Sequence, residues 1–207
     1  MARKVWNAEE KLQYERALLQ RGCKYIAGVD EVGRGPLAGP VVCAAVIMPL
    51  DEASLVIGVD DSKKLSEKKR EMLAEQIKQR ALCYTIIEID EKTIDEINIL
   101  EATKLGMKRA IESLEIAPDT VLTDGNMTIN IIHPQKSVIH GDALSYSIGA
   151  ASIIAKVHRD KKMVEFAKTY PDYGFEKNKG YGTAEHIKSI KEKGLCPIHR
   201  RSFTKNF

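Results

Sequence analysis

The 207 residues fit one domain, or one with a small appendage, at the usual ~100–200 residues per domain. An apolar fraction of 43% beside 29% charged residues excludes a disordered chain. The longest weakly charged run, Pro36 to Leu50, is too short and too interrupted by proline for a spanning helix of ~20 apolar residues, so no membrane association is expected.

Residues 8–21 read as an amphipathic helix, with Leu12, Leu18 and Leu19 on one side and Gly22 as its stop. No apolar stretch follows the basic start, so no secretory signal is expected. Strands are expected over 25–32 and 41–48, joined by a Gly/Pro-rich segment. A helix follows over 66–81, with Ser66 as N-cap and Glu67 in its first turn. A strand over 82–89, a helix over 98–114 and short strands over 120–123 and 137–139 come next. A long helix over 144–168 and a shorter one over 183–193, ended by Gly194, complete the order. That order predicts an α/β chain with a mixed sheet: the first strands form a hairpin and later ones cross over through helices.

Cysteines at 23, 43, 83 and 196 contain no C-x-x-C hook, which argues against a zinc ribbon. Cys43 and Cys83 lie in apolar runs and are expected buried, which fits a reducing, cytoplasmic compartment. The net charge of +3 conceals an asymmetry. Residues 153–207 carry 13 Lys+Arg against 6 Asp+Glu, and residues 1–152 carry 19 against 23. A solvated lysine-rich face accounts for this, and so does a surface that meets a polyanion.

The chemistry concentrates in three places. Asp30 and Glu31 end an apolar strand, and Gly33, Arg34 and Gly35 follow. An ionised carboxylate beside a core is costly unless it is paired or binds a metal, and glycines let backbone approach a ligand closely. Adjacent strand residues point to opposite faces, so Asp30 and Glu31 converge only if the strand ends or bulges at Glu31, or if Glu31 offers its carbonyl. Asp124, before Gly125 and Asn126, ends a second apolar strand, although Asp-Gly-Asn is also ordinary turn chemistry. Asp142 precedes the long helix, where it could simply be the N-cap. That helix has a small-residue face (Gly149, Ala150, Ala151, Ser152, Ala155) able to sit close to a sheet.

Taken together, these acids could hold a pair of magnesium or manganese ions for phosphodiester hydrolysis. The glycine segment fails the P-loop, dinucleotide and kinase patterns, and the five histidines show no H-E-x-x-H spacing. Tyr181, between Gly180 and Gly182, could stack on a sugar or base. Lys179, Lys188, Lys191, Arg200 and Arg201 are candidates for phosphate contact, though each is individually explained by solubility.

The chain resembles ribonuclease HII, the type 2 bacterial ribonuclease H. The resemblance runs from Tyr25 to Phe203 through Gly28 to Val42, Asp61 to Ser66, Asp124 to Asn126, Ala151 to Asp160, Gly180 to Thr183 and His199 to Phe203. It implies a ribonuclease H-like fold, a mixed central sheet flanked by helices, with a C-terminal helical segment. Residues 1–22 would form an N-terminal helical extension and 23–207 the catalytic domain.

The family's carboxylate tetrad falls on Asp30, Glu31, Asp124 and Asp142, with Mn2+ or Mg2+ as cofactor. Gly33, Arg34 and Gly35 would read the ribose 2′-hydroxyl, and Tyr181 would sense the next sugar. Lys63 and Asn98 would contact phosphate or substrate. The partners implied are nucleic acids, RNA–DNA hybrids and duplex DNA containing ribonucleotides, with a monomer as default. A different nuclease of the same fold and a non-catalytic nucleic-acid binder are the alternatives. Type 3 enzymes of the wider group have threonine where Arg34 stands.

Overall fold

Val, Ala and Ile runs that suit a pleated, buried surface form the centre of a five-stranded sheet. The computed structural model describes residues 6–205. Its strands are β1 (Ile26–Val32), β2 (Val41–Ile47), β3 (Cys83–Ile89), β4 (Thr120–Asp124) and β5 (Gln135–Val138), in the spatial order β3-β2-β1-β4-β5. β1 to β3 form an antiparallel meander, while β4 lies parallel to β1 and β5 parallel to β4. The expected hairpin and crossovers are therefore present.

The helices are α1 (Ala8–Lys11), α2 (Gln13–Leu19), α3 (Glu67–Arg80), α4 (Glu91–Glu112), α5 (Gly141–Leu144), α6 (Tyr146–Thr169), α7 (Phe175–Asn178) and α8 (Ala184–Lys193). Ser66 caps α3 as expected, and Thr183 and Gly194 bound α8. The main departures from the sequence reading lie in three helices. The first helix breaks at the buried Leu12.

The helix expected over 98–114 starts at Glu91, capped by Asp90, and is interrupted at Asn98, whose φ of 66° is left-handed. The long helix starts at Tyr146 with Ser145 as its N-cap, so Asp142 stands in the separate short helix α5. Asp142 is thus relieved of capping α6.

Two helices sandwich the sheet. Val42, Ala44 and Val46 face Ala150, Ile154 and Tyr146 of α6. Val29, Cys43 and Ala45 face Met107 and Ala110 of α4. Each large aliphatic side chain so buried contributes roughly 1.5–3 kcal/mol. The small residues set the spacing: a Cβ on Gly28 would overlap the Ser147 backbone, so the start of α6 rests directly on β1.

The N-terminal helices pack on this body. Trp6 Nε1 donates to the Val59 carbonyl at 2.8 Å, and Lys11 Nζ reaches Asp60 Oδ1 at 2.6 Å and the Ala143 carbonyl at 2.5 Å. Residues 1–5 of the expected extension, and 206–207 of the expected domain, lie outside the described residues. No helix among the described residues is long and apolar enough to cross a membrane.

Candidate active site

The carboxyl ends of the parallel neighbours β1 and β4 lie side by side at the centre of the sheet. Val29 pairs with Thr123, so the residues after them, Asp30 and Asp124, leave the ladder together. The ladder stays regular through Glu31 and Val32, which pair with Cys43 and Val42. No bulge turns Glu31 toward Asp30, so the two side chains start from opposite faces, and it is the end of the strand that leaves the Glu31 carboxylate within charge range of Asp30 and Asp124. Gly33, with φ of 92°, then redirects the chain.

The loop between β5 and α5 delivers Asp142. His140 adopts a left-handed conformation, and the Gly141 amide donates to Asp124 Oδ1 at 2.6 Å. A Cβ at position 141 would press on Ile148 at 2.6 Å, so glycine allows this approach. The fifth member arrives on the turn Ser62–Lys64, where Lys63 Nζ lies 3.9 Å from Asp142 Oδ2.

The electrostatics are those of crowded like charges. Burial raises the Asp30 pKa well above the carboxylate range, and the charges of Glu31 and Asp124 add to it; the Ser152 hydroxyl and the Glu31 amide oppose it. Burial also raises Glu31, with Arg34 opposing at 3.5 Å and Asp124 adding. Asp142 is raised by burial, then by Asp124 and Asp61, against the pull of Lys63. Burial pulls Lys63 down, but Asp142, Asp30, Asp61 and Asp124 outweigh it and hold the ammonium protonated.

Four hard oxygen donors therefore face two cations, Lys63 and Arg34. That donor set fits divalent magnesium or manganese. Among the described residues, no three acidic, histidine or cysteine side chains are gathered tightly enough to cage an ion alone.

The remaining predicted residues divide. Arg34 and Gly35 are exposed on the loop after β1, and a Cβ on Gly35 would touch the Tyr181 ring at 3.7 Å. The loop and the half-exposed tyrosine are therefore neighbours. Asn98 is bonded into its own helix: its side-chain oxygen accepts the Leu100 and Glu101 amides. The network does not bring it to the carboxylates.

Arg200 corrects an expectation. It is fully buried and donates to the carbonyls of Gly33, Arg34 and Gly39, so it cannot meet a phosphate.

Sequence reasoning missed several supporting residues. Arg159, also fully buried, donates to the carbonyls of Ala38, Pro40 and Lys179. Ser152 joins Asp30 to Ser62. Glu15 accepts the Ser145 hydroxyl at 2.6 Å and the Ser147 amide at 2.9 Å, bracing the junction of α5 and α6.

His186 Nδ1 must donate to the Tyr181 carbonyl at 2.9 Å, since a carbonyl only accepts. Its Nε2 then accepts from His199 Nε2 at 3.0 Å, and His199 Nδ1 accepts the Cys196 amide at 2.9 Å. Both rings are neutral in this chain of bonds.

Comparison with known proteins adds a family. The family model described as ribonuclease HII matches residues 27–206. A ribonuclease HII of Caldicellulosiruptor saccharolyticus is 54% identical, covering 96% of this chain and 96% of its own. A ribonuclease HII of Ruminiclostridium cellulolyticum is 53% identical over 99% of this chain and 80% of its own. Among solved structures, the ribonuclease H2 of Pyrococcus horikoshii superposes with a TM-score of 0.74 at 28% identity, covering 87% of this chain and 94% of its own.

Proposed function

This chain belongs to the ribonuclease HII family and is a ribonuclease H endonuclease; from that premise we propose that it nicks duplexes on the 5′ side of a ribonucleotide. Both RNA–DNA hybrids and single ribonucleotides embedded in DNA are substrates in this reading, and the products carry a 3′-hydroxyl and a 5′-phosphate. The observation that carries it is the clustering of Asp30, Glu31, Asp124, Asp142 and Lys63 within charge range of one another, beside a glycine loop that neighbours Tyr181.

Asp30, Glu31, Asp124 and Asp142 would hold magnesium or manganese, whose positive charge strengthens water as a nucleophile and stabilises the leaving oxygen. Asp30 and Asp124, at the two strand ends, are the most direct holders. Lys63 offsets the carboxylate charge and offers an ammonium to the phosphate. Backbone at Gly33 and Gly35 approaches the 2′-hydroxyl, the group that separates RNA from DNA. Arg34 offers a fork of donors to an adjacent phosphate. Tyr181 lies against the following sugar and favours a deoxyribose there.

The test is a DNA duplex with one embedded ribonucleotide, incubated with magnesium or manganese and separately with EDTA, and the cut mapped. A metal-dependent nick 5′ of the ribonucleotide is expected. Cleavage confined to long hybrids would overturn the junction reading, and no cleavage of either substrate by folded protein would overturn the whole.

A further inference from the structure

Two segments form the substrate-reading surface in the function proposed above, and this inference rests on that reading. One is the loop 33–40 after β1, the other the loop 179–182 that presents Tyr181. They touch directly: the Leu37 amide donates to the Gly180 carbonyl at 2.8 Å, and a Cβ on Gly180 would come within 2.5 Å of the Ala38 oxygen. Gly33 is seated on the Arg159 guanidinium, where any side chain would collide with it.

Arg159 itself stands on α6 with no exposed surface. Its Nε donates to the Pro40 carbonyl at 2.9 Å and its Nη2 to the Ala38 carbonyl at 3.1 Å. Its Nη1 donates to the Lys179 carbonyl at 2.9 Å, on the other loop. Arg200, its neighbour in burial, donates to the first loop alone. Among the described residues, Arg159 is the side chain whose hydrogen bonds join both loops.

A buried cation that bonds only to carbonyls costs several kcal/mol of desolvation, which a methionine or leucine filling the same space would avoid. What a planar fork offers over such a filler is fixed geometry among three acceptors. We propose that Arg159 is a positioning residue that locks the ribose-reading loop to the tyrosine loop and thereby sets the selectivity for an RNA–DNA junction. A single embedded ribonucleotide must satisfy both loops at one fixed spacing. A long hybrid offers ribose at every register and tolerates a looser spacing.

The experiment compares wild type, Arg159→Met and Arg159→Lys on a single-ribonucleotide duplex and on a long hybrid. Arg159→Met is expected to lower kcat/KM on the single-ribonucleotide duplex by roughly 10–100-fold, the scale of a ~1 Å misplacement, and on the hybrid by only a few-fold. Arg159→Lys restores part of the difference. In a Tyr181→Ala background, the Arg159 change brings no further loss of selectivity. Equal losses on both substrates, or losses that add in the double variant, would overturn the proposal.

Amide exchange at Leu37 provides a second readout, expected to quicken in Arg159→Met while the central strands stay protected. Unchanged exchange there also overturns it. Should Arg159→Met fail to fold, Gly180→Ala, whose Cβ would press on the Ala38 oxygen, spreads the two loops with Arg159 in place, and a selectivity unchanged in that variant would overturn the claim that loop spacing sets it. If wild type cuts neither substrate, the functional reading fails, and Leu37 exchange still decides whether Arg159 locks the loops.

Discussion

The hydroxyls of Ser62 and Ser152 lie 3.0 Å apart, buried between the turn that carries Lys63 and the helix α6. The Ser152 hydroxyl also faces Asp30 and favours its ionised form. One hydroxyl thus ties the most buried carboxylate of the site to the turn that brings its ammonium, and Arg70 holds that turn from outside through the Ser62 and Leu65 carbonyls.

Ser152→Ala is expected to cost about 1–3 kcal/mol, because it strands the buried Ser62 hydroxyl. Ser62→Ala made in that background should cost less than in wild type, since no polar group is then left behind. Urea unfolding of the four proteins checks this, and additive costs would show that the two hydroxyls do not form a unit.

Asp124→Asn keeps the acceptor for the Gly141 amide while removing one of four crowded charges. Cleavage is expected to fall on the order of 10³-fold or more. Metal-free stability should rise by about 1 kcal/mol as repulsion on Asp30, Glu31 and Asp142 is relieved. Loss of both activity and stability would mean that Asp124 acts through the fold. Full activity would refute its place in the site.

Much of this molecule is legible where a local signal marks it. Ser66, Thr183 and Gly194 bound their helices as their types predict. Asp30 and Asp124 stand out because an acid ending an apolar run is expensive unless it has a task. What escaped depends on tertiary contact. Asn98 takes a left-handed φ and splits one helix, and nothing in its neighbours Ile97 and Ile99 marks that break. The cap of the long helix, read as Asp142, falls on Ser145, which only the structure shows.

Arg200 read as a surface cation, and Arg159 drew no reading of its own, because charge alone carries no information on burial. A partial signal existed: Ala151, Ala155, Arg159 and Met163 recur every four residues along the buried face of α6. Glu15 gave none, since its acceptor role depends on α6 arriving from far along the chain.

Glu15 is enclosed, and among the described residues no cation pairs with it and its Oε2 has no hydrogen-bond partner. Burial raises its pKa from 4.5, against the Ser145 and Ser147 bonds. A carboxyl raised in the folded state favours folding at low pH, and that contribution is lost as pH rises through the folded value. Glu15→Gln keeps the accepting oxygen and removes the charge. It should match wild type near pH 4.5 and become progressively more stable than wild type as pH rises. Glu15→Ala should destabilise at every pH, by about 2–4 kcal/mol, because the Ser145 and Ser147 donors lose their acceptor. Thermal unfolding across pH 4.5–8 distinguishes these; a Gln variant less stable at pH 8 would mean that the charge itself is stabilising.

The His186–His199 pair has the opposite sign. Burial pushes His199 down to about 4, helped by His186, and burial lowers His186 despite its bond to the Tyr181 carbonyl. An imidazole lowered in the folded state stabilises above its unfolded value of about 6.5, and that stability drains away as pH falls toward the folded value. The bonding explains the direction: a proton on His186 Nε2 would face the donor on His199 Nε2, and a proton on His199 Nδ1 would face the Cys196 amide. Wild type is therefore expected to lose about 1–3 kcal/mol more between pH 7 and pH 4.5 than His199→Gln, which does not titrate. Urea unfolding at the two pH values measures the difference. Equal losses would show that the pair titrates alike in both states, and that the neutral chain of bonds from Cys196 to Tyr181 does not hold the loop.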